Sequence, residues 1–200
     1  MTGVGPRNPP MSAPPRHQYP PGVPSQPLPL DPIAEARRLW IERWGVGEHM
    51  AAATSLMRAQ QLVLGAVEDV LRPHGLTFSS YEALMLLTLS RRGELPLGTM
   101  SERLMVHPAS ITNTVDKLER RGFVERRRDP GDGRRVLAAI TSSGRDVAMR
   151  VTEPLNDIEF GLGAISEAEA GTINAILRGV RAAGGDIADG VADPWAGVST

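Results

Sequence analysis

A mainly helical chain carrying one small β-hairpin, an α+β fold, is what this sequence predicts. Three observations point there. Apolar residues recur at three- and four-residue spacing through most of residues 32–183. Two strand-like runs flank an Asp/Pro/Gly-rich turn at 129–133. Aromatics make up only 4% of the 200 residues, so the core must be built of Leu, Val, Ile, Ala and Met. With 41% hydrophobic and 22% charged residues the composition is that of one globular domain with tails. The chain has no cysteine, which excludes a disulfide framework, a thiolate zinc site and a cysteine nucleophile. No apolar run approaches ~18 residues and the N-terminus lacks an apolar signal stretch, so a cytoplasmic protein without a membrane span is expected.

Eleven of the seventeen prolines lie in residues 1–32, and residues 1–30 are expected to be a disordered Pro-rich tail. Asp31-Pro32 reads as N-cap and first turn of a helix over 32–44, with Ile33, Leu39, Trp40 and Trp44 on its apolar side and Gly45 and Gly47 ending it. A long helix is expected over 48–73, where Leu56, Leu62, Val63, Val67, Val70 and Leu71 share a face and Pro73 and Gly75 stop it. Thr77 or Ser79 can cap a helix over 79–91, with Glu82 placed for a capping box on Ser79. Tyr81–Leu89 is apolar nearly all round, so this helix should be central. Leu95–Leu97 is at most a stub of strand.

Two short helices follow, 99–105 and 108–121, and Gly122 is a C-terminal cap. Phe123–Arg128 and Arg135–Ile140 pair as the hairpin. Thr141 or Ser142 opens a helix over 142–161, which Pro154 should kink or interrupt. Ser166 and Glu169 form a capping box for a last helix over 167–183, ended by Gly184-Gly185, and 185–200 reads as a flexible tail.

Helix, tight turn, helix, glycine and basic hairpin, in that order, describe a winged helix-turn-helix. The charge agrees. Residues 117–135 hold eight basic and four acidic side chains, whereas residues 1–116 are neutral and residues 136–200 carry a net −5. A local cationic block on a neutral protein fits an anion-binding face. An α-helix fits the major groove of DNA, and a narrow hairpin can reach the adjacent minor groove.

The sequence resembles the MarR family of transcriptional regulators. The resemblance is carried by Leu104-x-Val106-x-Pro108-x-Ser110-Ile111-Thr112-x-x-Val115-Asp116-x-Leu118-Glu119-x-x-Gly122-Phe123-Val124-x-Arg126, then Asp129-Pro130-x-Asp132-x-Arg134 and Ile140-Thr141-x-x-Gly144. It extends over about residues 31–184, with the winged helix-turn-helix at about 79–141. It implies a homodimer joined by N- and C-terminal dimerisation helices, about 32–73 and 142–183. It also implies a repressor on a palindromic double-stranded operator, and a small aromatic or phenolic effector held between the helical base and the winged lobe.

On the second helix His107 either caps or touches phosphate, and Pro108 marks the first turn. Ala109, Thr112 and Asn113 form the leading face toward base edges, while Ser110 and Lys117 suit phosphates. The family often has Arg where Asn113 stands, which suggests a changed base preference. Ile111, Val115 and Leu118 are core, and Asp116 should pair with a local arginine, in the wing or near it. Arg134 matches the family's wing arginine and Arg135 is its neighbour. Gly133 stands where another Arg is common. Arg126, Arg127 and Arg128 alternate faces along a strand, so they cannot all meet DNA. Effector candidates around 56–87 and the first helix are Trp40, Trp44, Met57, Arg58, Gln61, Phe78 and Tyr81; core or dimer-interface roles compete for each aromatic. The four histidines are scattered, with no metal spacing, and no catalytic constellation or cofactor motif emerges. The alternative function is a winged-helix protein-interaction module.

Overall fold

The computed structural model describes residues 27–133 and 135–196. Most of the Pro-rich tail, and Arg134 in the wing, lie outside them. The chain is mostly helical with a three-stranded antiparallel sheet. Helix α1 (Pro32–Trp44) starts where Asp31 accepts from the Ile33 and Ala34 amides, and stops at Gly45, whose φ of 88° admits the reversal into α2 (Glu48–Leu71). The two helices are joined by an Arg37–Glu48 ion pair and pack side by side at their junction.

A short 3₁₀ turn, Arg72–His74, follows α2 and closes at Gly75 in the left-handed region. Helix α3 (Phe78–Thr88) is capped by Thr77, which accepts from the Ser80 amide. The expected Ser79–Glu82 capping box does not form, because the extended backbone of Thr77 already makes it the cap and places Ser79 inside the helix. Glu82 is half-buried, and burial pushes its carboxyl above the usual range. As the continuous apolar run required, α3 is central: it packs on α2, on the later helices Pro108–Arg120 and Ser142–Asp157, and on the sheet.

Strand β1 (Glu94–Pro96) is short but paired, so the wing is a sheet of order β1-β3-β2 rather than a lone hairpin. Helices α4 (Leu97–Arg103) and α5 (Pro108–Arg120) lead into β2 (Val124–Arg128) and β3 (Val136–Ile140), in a register pairing Val124 with Ile140 and Arg128 with Val136. Helix α6 (Ser142–Asp157) opens on Thr141, which accepts from the Gly144 amide. A β-carbon at Gly144 would lie 2.0 Å from the Phe123 carbonyl oxygen, so only glycine lets α6 seat on the start of β2. Pro154 does not break α6 on the spot; the helix ends three residues later and a 3₁₀ turn, Glu159–Gly161, follows.

Helix α7 (Glu167–Ala183) carries the expected capping box of Ser166 and Glu169. The chain after Gly185 returns along it. The Arg178 guanidinium donates to the Val191 and Ala192 carbonyls at 2.7 and 3.1 Å and pairs with Asp193. Nothing in the composition of that segment announced this attachment.

Leu71, Leu84, Leu87, Met100, Val115, Leu118, Val124, Val151 and Leu155 form the dry centre, so α2 to α6 and β2 share one core. In contrast α1 has no buried residue, and Leu39, Leu56, Met57, Ile173, Ile176 and Val180 are exposed on α1, the first half of α2, and α7. Among the described residues no helix is long and apolar enough to cross a membrane, and no group of His, Asp and Glu gathers as metal ligands.

Candidate nucleic-acid interface

Helix α5 is amphipathic with a sharp division. Ile111, Val115 and Leu118, at four- and three-residue spacing, are buried. Pro108, Ala109, Ser110, Thr112, Asn113, Lys117 and Arg120 are exposed. The residues read as base- and phosphate-facing therefore share the outer side, and the residues read as core lie inside. At the helix start the open alternative for His107 resolves toward capping. Its Nδ1 accepts from the Ala109 amide at 3.2 Å, which requires a neutral ring nitrogen. Pro108 fills the first turn, where a missing N–H costs nothing. The Thr112 hydroxyl donates back to the Pro108 carbonyl at 2.9 Å, leaving its oxygen lone pairs and methyl as the groups on offer. The turn from α4 is tight: Met105 takes φ 52°, and the Val106 amide reaches back to the Ser101 carbonyl.

The wing is tied to α5 through one arginine. Arg126 on β2 pairs with Asp116 at 2.5 Å and Glu119 at 2.7 Å and donates to the Thr112 carbonyl at 3.3 Å. The Arg126 amide also donates to Glu119. Burial alone would lower the guanidinium's pKa; Asp116 and Glu119 outweigh it and hold the group above its ordinary value. The partner expected for Asp116 is thus a wing arginine, and that arginine is spent on structure. Arg127 pairs with Glu125 and lies 4.0 Å from Glu94. Arg128 is exposed too, although strand alternation puts it on the side of Val124 and Arg126. At the tip, the Asp129 carboxylate accepts from the Gly131 amide, and Arg135 is an exposed side chain pairing with Asp132 at 3.3 Å. Among the described residues Lys117, Arg120, Arg128 and Arg135 are exposed cations of α5 and the wing, as is Arg127 in its pair with Glu125.

The effector candidates separate into three places. Trp40 and Trp44 stack at 4.4 Å between ring centroids, with a tilt of 43°, beside a groove of about 510 Å³ that Leu39 and Arg43 also line. Met57, Arg58 and Gln61 are exposed on α2. Phe78 packs against the core, and Tyr81 is buried in it, its hydroxyl 3.0 Å from that of Thr152. Within one chain these residues do not meet in one pocket.

Two features were not read from the sequence. Arg121, just past α5, reaches back to the end of α2: it donates to the His74 carbonyl at 2.8 Å and to the Gly75 carbonyl, and its guanidinium lies 4.6 Å from the centre of the Phe123 ring. Beside it is a crevice of about 380 Å³ lined by His74, Arg121, Phe123, Ser143, Asp146, Val147 and Arg150. Backbone carbonyls 46 and 47 positions away leave no residue-type signal, so only the run Arg120-Arg121-Gly122 was visible.

Comparison with known proteins agrees with this geometry. The MarR family model matches residues 78–136. The crystal structure of Sco5413, a MarR family transcriptional regulator from Streptomyces coelicolor, is 53% identical, with 71% of this chain and 99% of that chain covered and a TM-score of 0.66. CouR from Rhodococcus jostii RHA1, solved bound to p-coumaroyl-CoA, is 25% identical over 64% of this chain and 90% of that one, with a TM-score of 0.58. The HTH-type regulator YkoM of Bacillus subtilis is 37% identical over 75 residues, 38% of this chain and 47% of that protein. The chain spans about half the length of the curated relatives it matches first.

Proposed function

The chain belongs to the MarR family of winged helix-turn-helix transcriptional regulators, and from that premise we propose that it is a homodimeric repressor of a palindromic operator, released by a small aromatic or phenolic ligand. The observation that carries the reading is the outer side of α5. Ala109, Thr112, Asn113 and Lys117 are exposed along it, and Arg126 binds the wing to the same helix, so one rigid unit offers groups for both grooves. Asn113 is the base reader: an Asn side chain can bond adenine through two atoms. Lys117 and Ser110, with Arg128 and Arg135 in the wing, meet phosphate or minor groove. Arg134 joins them on the sequence motif alone. His107 and Pro108 set the angle of the helix tip.

Dimerisation is supported by the exposed aliphatic side chains of α1, α2 and α7, which one chain leaves uncovered. A two-fold pair of α5 helices then reads two half-sites related by the same symmetry. The effector reading rests on the aromatic and polar side chains that α1 and α2 expose, Trp40, Trp44, Met57, Arg58 and Gln61, assembled across the two copies, with half-buried Phe78 of α3 beside the core that holds Tyr81. CouR, similar in fold, was solved bound to p-coumaroyl-CoA. Family members regulate transcription, so the chain is a regulator and not an enzyme, acting in the cytoplasm where its DNA lies.

Selection of duplexes from a random pool by the full chain tests this. The expected product is an inverted repeat with half-sites about 10 base pairs apart, one helical turn. Failure to enrich any duplex at low salt overturns the reading and leaves a protein-interaction module. Screening phenolic carboxylates for release of the selected duplex then tests the ligand.

A further inference from the structure

We propose that Arg121 is a positioning residue that fastens the C-terminal end of α5 to the end of α2, so that the setting of the long helix is delivered to the DNA-facing helix. The inference rests on the DNA-binding reading above. Helix α5 is anchored along its buried stripe, but its last turn has no buried residue after Leu118. The side chain that follows supplies the tether. Its guanidinium donates to the His74 and Gly75 carbonyls, which terminate α2 and its 3₁₀ turn. Those carbonyls lie at the negative end of the helix dipole, where a cation is favoured. One side of the group stacks on Phe123, the residue that leads into the wing.

The turn is shaped to accept it. Gly75 has φ 65°, and a β-carbon there would stand 3.1 Å from a guanidinium nitrogen, so glycine both allows the reversal and leaves the space. The geometry uses what is particular to arginine: a planar fork giving two donors to two carbonyls while stacking on a ring. Lysine can supply the charge but not that fork. The rival role for a cation at this place is a phosphate contact. An Arg121 whose two terminal nitrogens donate to carbonyls of its own chain has those donors committed there.

The two roles differ in salt dependence. A lost phosphate contact lowers the slope of log K against log salt by about 0.9, whereas a lost tether weakens binding without touching the slope. The experiment is titration of the selected operator duplex over a salt series with the full chain, Arg121→Ala, Arg121→Lys, Gly75→Ala and Lys117→Ala as the phosphate control. The first three are expected to bind about five- to tenfold more weakly at every salt, about 1–1.4 kcal/mol, with the wild-type slope. Wild-type affinity for Arg121→Ala, or full rescue by Arg121→Lys, overturns the proposal. So does a slope lowered by about 0.9 per copy, about 1.8 for the dimer, for Arg121→Ala, which makes the residue a phosphate contact.

A second readout needs no DNA. The chain has no cysteine, so spin labels on Gln60→Cys and Arg120→Cys, diluted with unlabelled chain, report the separation of α2 from the end of α5. One narrow distance is expected, broadened by Arg121→Ala and by Gly75→Ala; an unchanged distribution in both overturns the tether. If the wild-type chain binds no duplex, the DNA reading fails, and the label distances still decide the tether.

Discussion

Asn113 and Lys117 lie one turn apart on the exposed side of α5, and the proposed DNA reading gives them different work on a duplex. Asn113→Ala should cost about 1–3 kcal/mol per half-site on the preferred operator and much less on a site altered at the base it reads. Competition between duplexes differing at one base pair checks this; equal loss on every sequence removes Asn113 from base reading. Half-buried Glu82 gives a pH prediction. Burial raises its carboxyl in the folded chain above the unfolded value of 4.5, so ionisation opposes folding, and the penalty grows as pH rises through the raised value. Glu82→Gln should therefore melt higher than the wild type at pH 7, and the difference should vanish below about pH 4.5, where both forms are neutral. At this scale the sequence was informative where opposite charges sit close in the chain. Asp116 could not face phosphate, and Arg126 is its partner. It was silent on Arg121, whose acceptors are backbone atoms, and it left His107 open because one side chain suits both a cap and a phosphate.

Among the elements, α5 is held from inside by three side chains and from outside by two arginines. Leu118→Ala, at a fully buried position, should cost about 2–5 kcal/mol in denaturant melting and take duplex binding with it. The contact of α6 with β2 is less forgiving still of added volume. Gly144→Ala puts a methyl into the Phe123 carbonyl and should cost about 1–3 kcal/mol even after local adjustment; an unchanged melt would show that the joint is not tight. Most elements were legible because apolar period and punctuation agreed. Asp31-Pro32, the Ser166–Glu169 box and Gly122 each fell at an element's end. Where they failed, the cause was local. Thr77 and Ser79 are equally good caps in sequence, and only the backbone at Thr77 separates them. β1 has three residues, too few for a period, and acquires its identity from pairing with Ala138 and Ala139 of β3.

The molecule as a whole divides its surface by chemistry. One end carries α5 and the wing with Lys117, Arg120, Arg128 and Arg135 exposed; α1, the first half of α2 and α7 expose aliphatic side chains instead. The sequence marked those helices as amphipathic but could not name what covers them, since an intramolecular partner satisfies the same pattern. A charge placed in the middle of that surface, as in Ile176→Asp, should yield a single-copy particle by light scattering with its helical content intact, and with duplex affinity sharply reduced. The central claim is that two copies of this chain grip one duplex mainly through phosphate-facing cations and read it through α5. Its most direct measurement is the stoichiometry and salt slope of binding to the selected operator, followed by fluorescence anisotropy of a labelled duplex. Two chains per duplex, with affinity falling steeply and linearly in log salt, is the predicted result. One chain per duplex, or affinity indifferent to salt, would contradict it.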